Sequence, residues 1–223
     1  MQISLYYHPL CPFSKQIIAL LGEMNYKPTL IKENYWQKNK AFMDLSPWGE
    51  LPVMVIDETF IIAGAYPCIE YLIDKRRDFY LFHQDLEILS RIRQVINWFN
   101  KYFFNDVVQH ILSEKLIKAD LKNLYPDTYV IRAAKSILNS HLLQMNAIIA
   151  SQEYLAHENL SLADIVAASH LAVLDYFQDI NWQNYPKVKH WYCLIKSRPT
   201  FRSTLYEKIK GTNPPAHYLD LDF

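Results

Sequence analysis

Glycine is scarce in this chain, with four in 223 residues, and that scarcity excludes the glycine-rich loops that cradle phosphates in nucleotide-binding proteins. Cysteine is also sparse. Cys11, Cys68 and Cys193 are odd in number and irregular in spacing, which excludes a disulfide framework and suits a reducing compartment. Net charge is missing too: 23 basic and 23 acidic side chains balance, so no global field favours nucleic acid or anionic lipid. No apolar run reaches the length of a membrane span. Met1-Gln2-Ile3-Ser4 has no basic, signal-like character, so the expectation is a cytoplasmic protein without a signal peptide. The eight histidines are scattered at no metal-binding spacing. What is present in quantity is apolar and aromatic: 51% hydrophobic residues, with 16 tyrosines, on a chain long enough for one large or two modest cores.

The pattern along the chain changes once. Residues 2–7 read as a strand ending at His8-Pro9. From Pro12, apolar residues Phe13, Ile17, Leu20, Leu21 and Met24 recur at helical spacing, with Pro12 suited to the first turn. A short strand is expected near 29–32. A polar segment follows over 33–49, containing Trp36 and Trp48. A hairpin comes next, over 52–56 and 59–62, and then a helix over 65–75. This α/β order spans a front domain at 1–77. Residues 84–210 carry only helical periodicity, with one apolar stripe through Ile92, Ile96, Phe99, Phe103, Val107 and Ile111. A second runs through Ala134, Ile137, His141, Met145 and Ile148. Pro186 and Pro199 stand where helices can begin. Residues 211–223, opening Gly211-Thr212-Asn213-Pro214-Pro215, read as an extended Pro-rich tail.

Two places carry chemistry. Cys11-Pro12-Phe13-Ser14 lies where the first strand meets the first helix, so the thiol faces free N–H groups and the positive end of the helix dipole. Both favour the thiolate. Cys11, with Ser14 in place of a second cysteine, is therefore the candidate catalytic centre, against the plainer reading of a buried or capping thiol. Leu51-Pro52 precedes a strand, the position where proline costs the ladder no donor; a cis bond there turns the Leu51 main chain outward.

Four ordered segments resemble the cytosolic glutathione S-transferase family. They are Leu5-Tyr6 through Cys11-Pro12-Phe13-Ser14, Ser46-Pro47-Trp48-Gly49-Glu50-Leu51-Pro52-Val53-Met54 with Ile69-Glu70-Tyr71-Leu72, Leu160-Ser161-Leu162-Ala163-Asp164-Ile165, and Arg198-Pro199-Thr200-Phe201. The resemblance implies a thioredoxin-like front domain, an all-helical back domain and a homodimer in which the front domain of one subunit meets the helical domain of the other. It implies that Cys11 stands at the catalytic serine or cysteine position and that Leu51 and Pro52 pair with the cysteinyl backbone of glutathione. Ser161 and Asp164 form a helix capping box, a structural device. The family's grip on the γ-glutamyl end, an acidic or amide residue followed by serine, falls on Gly64 and Ala65 and fails there. Residues 60–65 contain no polar side chain. Two lost contacts of about 1.5–3 kcal/mol each weaken glutathione binding by about 10²- to 10⁴-fold.

The missing grip and the apolar, aromatic ending also resemble a transferase-like bacterial division factor that binds FtsZ filaments. On that resemblance Trp36, Tyr218, Asp220 and Phe223 are the partner-binding candidates. The plainer reading docks Tyr218, Leu221 and Phe223 on the helical domain. Two functional readings therefore stand. One is a glutathione or thiol transferase using Cys11 on electrophilic or glutathionylated substrates; the other is a non-catalytic FtsZ-binding protein. A third option is an enzyme using a thiol cofactor that lacks the γ-glutamyl group.

Overall fold

The computed structural model describes residues 1–121 and 124–221. Strand β1 (Ile3–Tyr7) leads to helix α1 (Pro12–Glu23), and β2 (Thr29–Lys32) pairs parallel with β1. The hairpin β3 (Val53–Ile56) and β4 (Phe60–Ala63) adds antiparallel to the other edge of β1, giving the order β2-β1-β3-β4. Helix α3 (Ala65–Lys75) closes this thioredoxin-like domain. Each element follows from its sequence: β-formers alternate in β1, and Pro12 opens α1. Ile17, Leu20 and Leu21 then bury one face of that helix completely. One element had no apolar signal strong enough to read. Within the polar stretch, a turn at Tyr35–Gln37 and a short helix α2 (Lys40–Leu45) form, and α2 buries only Phe42.

The back half is helical. Helix α4 (Leu86–Asn97) is capped by the Asp85 carboxylate, which accepts the N–H groups of Glu87 and Ile88. It continues without a break through Trp98–Val108, α5 (Gln109–Leu112), Ser113–Ile117 and α6 (Lys118–Asp120). Trp98–Val108 and Ser113–Ile117 are wound in the wider π form: Gln109 N–H donates to the Phe104 carbonyl and Lys118 N–H to the Ser113 carbonyl. The predicted stripe from Ile92 to Ile111 is buried throughout. Helices α7 (Thr128–Ser151), α8 (Leu162–Tyr176), α9 (Pro186–Lys196) and α10 (Pro199–Arg202) complete the domain. On α7 the buried line is Ala134, Leu138, Leu142 and Met145, and Ile137 is exposed. At 3.6 residues per turn the line drifts by one position, so the helix turns 138 rather than 137 inward.

Helix α8 is buried along its whole length and lies against α1. The two halves are fastened at several points. The Arg198 guanidinium donates twice to Glu23, at 2.8 Å each, and Tyr80 and Thr200 donate to the same carboxylate. Lys15 Nζ, buried, donates to the Thr204 carbonyl at 2.6 Å. Gly22 passes so close to α10 that a Cβ there would stand 3.2 Å from the Thr200 side chain.

The ending departs from an extended tail. Residues Ala216–Leu219 wind into a short 3-10 turn. Tyr218 is 1% exposed, with its ring edge-on to Tyr176. Lys196 Nζ donates to the carbonyls of His217 and Asp220 at 3.1 and 2.7 Å, tying the turn to α9. Burying a tyrosine ring outweighs leaving Pro-rich chain in water. Tyr218 thus anchors the ending and offers no ring to a partner, whereas Asp220 is exposed. Phe223 lies outside the described residues.

Candidate functional site

A cleft of about 610 Å³ opens between the two halves. Its front wall comes from Cys11, Pro12 and Phe13 at the start of α1, from Glu50 and Leu51 before β3, and from Ala65 and Tyr66 at the start of α3. Its back wall is the long helix, through Asn100, Phe104, Asn105, Gln109, Leu112, Ser113 and Ile117. Both π-wound stretches contribute. A wider turn displaces side chains from the regular 3.6-residue lattice, and such turns recur at functional sites.

Cys11 is the N-cap residue of α1, and its N–H donates to the His8 carbonyl at 2.9 Å. The Ser14 hydroxyl, the N–H groups of Phe13 and Ser14 and the charge of Lys15 pull toward the thiolate, though no N–H of the first turn closes a capping hydrogen bond on the sulfur. Burial outweighs them. The thiol is 6% exposed, and desolvation pushes its pKa above the ordinary value. The helix-start geometry expected to activate the thiolate is present, and burial works against it. Ser14 is fully buried; its Oγ also accepts the His8 N–H at 3.3 Å. It supports the Cys11 loop from beneath and does not line the cleft.

The Leu51–Pro52 peptide is cis, and Leu51 lines the cleft while Pro52 is buried behind it. The Pro52 carbonyl accepts the Gly64 N–H at 2.9 Å, which brings the start of α3 alongside. Gly64 has φ +91°, a left-handed conformation that suits glycine. Ala65 is buried at the cleft edge. Cys11, Leu51, Pro52, Gly64 and Ala65 are therefore brought together, while Ser161, Asp164, Trp36, Tyr218 and Asp220 lie apart from the cleft lining.

The Asp164 carboxylate accepts from the Ser161 N–H and hydroxyl, the Leu155 N–H and the Trp191 indole, at 2.9, 3.0, 2.9 and 3.1 Å. Four donors on one buried carboxylate hold the start of α8 and leave it no role in chemistry. Trp36 is half-buried, edge-on to His8, and its indole donates to Asp120 at 2.8 Å.

The chain belongs to the glutathione S-transferase family. Its residues 10–75 match the family's N-terminal domain model and residues 107–199 the C-terminal one. It is 33% identical over 223 residues to FtsZ-localized protein A of Caulobacter vibrioides, covering 99% of this chain and 98% of that one. Among solved structures, FzlA from C. crescentus superposes with a TM-score of 0.95 at 32% identity. A glutathione S-transferase from Sinorhizobium meliloti 1021 superposes with 0.95 at 33%, each pair covering both chains fully. No helix among the described residues is long and apolar enough to cross a membrane.

Several site residues had no reading in the sequence. Asn100 and Asn105 sit one position beyond the buried Phe99 and two beyond the buried Phe103, and polar residues flanking an apolar stripe are the signal that could have marked them. Asn100 is held from two sides: its Oδ1 accepts from Gln16 Nε2 at 3.3 Å and lies 2.9 Å from His170 Nε2. His170 is wholly buried among Phe13, Phe99, Phe103 and Phe104, and burial lowers its pKa to about 3.

Proposed function

We propose that this chain is a non-catalytic member of the glutathione S-transferase family that associates with FtsZ filaments in the cytoplasm. The observation that carries the reading is the 33% identity, over essentially both full lengths, to FtsZ-localized protein A. Two features of the cleft support it. Residues 60–65 offer glutathione no polar side chain where Gly64 and Ala65 start α3. The Cys11 thiol, its pKa raised by burial, is a poor nucleophile near neutral pH. Trp36 and Asp220 are the proposed partner contacts; each reaches or approaches the surface.

The test is sedimentation of the chain with FtsZ assembled in GTP. Co-pelleting that disappears in GDP, and that survives Cys11→Ala, is the expected result. A chain that stays in the supernatant refutes the reading. We propose a homodimer as well, supported by the exposed rings of Trp48 and Tyr66, 82% and 70% accessible.

The second reading, a thiol transferase that takes glutathione weakly, is favoured by Cys11 lining the cleft beside Leu51. It requires turnover of an electrophile or of a glutathionylated substrate that Cys11→Ala abolishes.

A further inference from the structure

The ligand chemistry of the cleft can be read independently of FtsZ. Among the described residues that line it, Glu50 is the one acidic side chain, and there is no lysine, arginine or histidine. The position of Glu50 is fixed from beneath. Its N–H donates to Ser46 Oγ at 2.9 Å, and Ser46 Oγ donates back to the Glu50 carbonyl at 3.1 Å; Ser46 itself is fully buried. The Glu50 Oε2 atom lies 3.1 Å from where a Cβ on Gly64 would stand, so the chain's own carboxylate faces the start of α3. That helix start is also short of donors, because its third residue is Pro67, which has no N–H.

A ligand carboxylate brought to this place meets a like charge and no cation. The rest of the lining is apolar, through Phe13, Leu51, Phe104 and Ile117, with neutral polar groups between. Asn100 Oδ1 is engaged by Gln16 and His170, and one Nδ2–H donates to Gln16 Oε1 at 3.2 Å, so Asn100 keeps a single N–H for a ligand, a donor suited to a neutral carbonyl.

We propose that Glu50 sets the specificity of this cleft: it excludes carboxylates and admits a small, apolar organic ammonium compound whose carbonyls are neutral amides or esters. The ammonium lies beside Glu50 and the carbonyl faces Asn100.

Glutathione and its diethyl ester make the test. They share backbone, thiol and ammonium, and the ester masks both carboxylates. Each is titrated calorimetrically into the full chain and into Glu50→Gln and Glu50→Lys. Glu50 is exposed at the rim, so both variants should keep the wild-type urea midpoint, and solvent screening limits the effect. The expected result is tighter binding of the diester by wild type. Glu50→Gln should cut that preference about threefold and Glu50→Lys about tenfold or more. Equal or tighter binding of the free acid by wild type overturns the proposal, as does a preference identical in all three proteins. Absence of heat from both ligands in every protein overturns it too. Failure of FtsZ co-pelleting leaves these outcomes unchanged, so the two readings fail separately.

Discussion

Acid should unfold this protein through a histidine that touches no solvent. His170 is 0% exposed in a cage of phenylalanine rings, and its Nε2 is 2.9 Å from Asn100 Oδ1. Its Nδ1 has no hydrogen-bond partner. The neutral ring with its proton on Nε2 satisfies that geometry, and an imidazolium would bury a charge without a counterion. Its pKa accordingly falls from 6.5 to about 3. The sign follows directly. Below pH 6.5 the unfolded chain takes up a proton that the folded chain refuses, so stability is lost as pH falls from 6.5 toward 3. Acidifying to pH 5 spans 1.5 units of that window, and at about 1.4 kcal/mol per unit the loss is about 2 kcal/mol. The assay is urea unfolding of wild type and His170→Leu at pH 7 and pH 5. Leucine fills a similar volume and leaves Asn100 Oδ1 its Gln16 partner. Carboxylates and His8, whose pKa burial lowers to about 4, titrate equally in both proteins and cancel in the difference. Wild type should lose about 2 kcal/mol more than the variant between the two pH values. Equal losses would refute the claim that His170 is held neutral by burial.

Three further outcomes are expected. Alkylation of Cys11 by iodoacetamide, followed by mass spectrometry, should show a pH–rate midpoint above that of a free thiol, because burial raises its pKa; a midpoint below 8 would restore the activated thiolate. Asp164→Ala strands the N–H groups of Leu155 and Ser161 and the indole of Trp191, and should cost at least about 3 kcal/mol of unfolding free energy; a loss under about 1 kcal/mol contradicts the anchoring role. Ala65→Ser restores one hydroxyl at the start of α3 and should raise glutathione affinity by up to about tenfold in calorimetry. No gain would locate the missing grip elsewhere. Gly64 is the wrong place for the same experiment, since its φ of +91° penalises any side chain.

The front domain was legible because its periods are clean: β1, α1, the hairpin and α3 fall within a residue or so of the spans that alternation and 3.6-residue spacing predict. The Ser161–Asp164 box was legible for the same local reason. Short helix α2 was not, since one buried Phe42 makes no stripe. The π-wound stretches were also hidden, because their apolar residues keep an ordinary helical rhythm while the turns widen to build the cleft's back wall. The raised pKa of Cys11 was hidden for a different reason. Its hydrogen-bond donors are local and can be read from Cys11-Pro12-Phe13-Ser14, but the chain that excludes water from the sulfur is tertiary. The same holds for Tyr218, whose burial depends on Tyr176 some forty residues away. Glu50 belonged to a recognisable motif, but its approach to Gly64 is a contact that only the folded chain makes.

We propose that this transferase fold serves filament association at a surface carrying Trp36 and Asp220, apart from a cleft that does no glutathione chemistry. Sedimentation with GTP-assembled FtsZ, run with Cys11→Ala in millimolar glutathione, tests it most directly. Undiminished co-pelleting of the variant is the predicted result. A variant released from the filaments by glutathione or by loss of the thiol would contradict it.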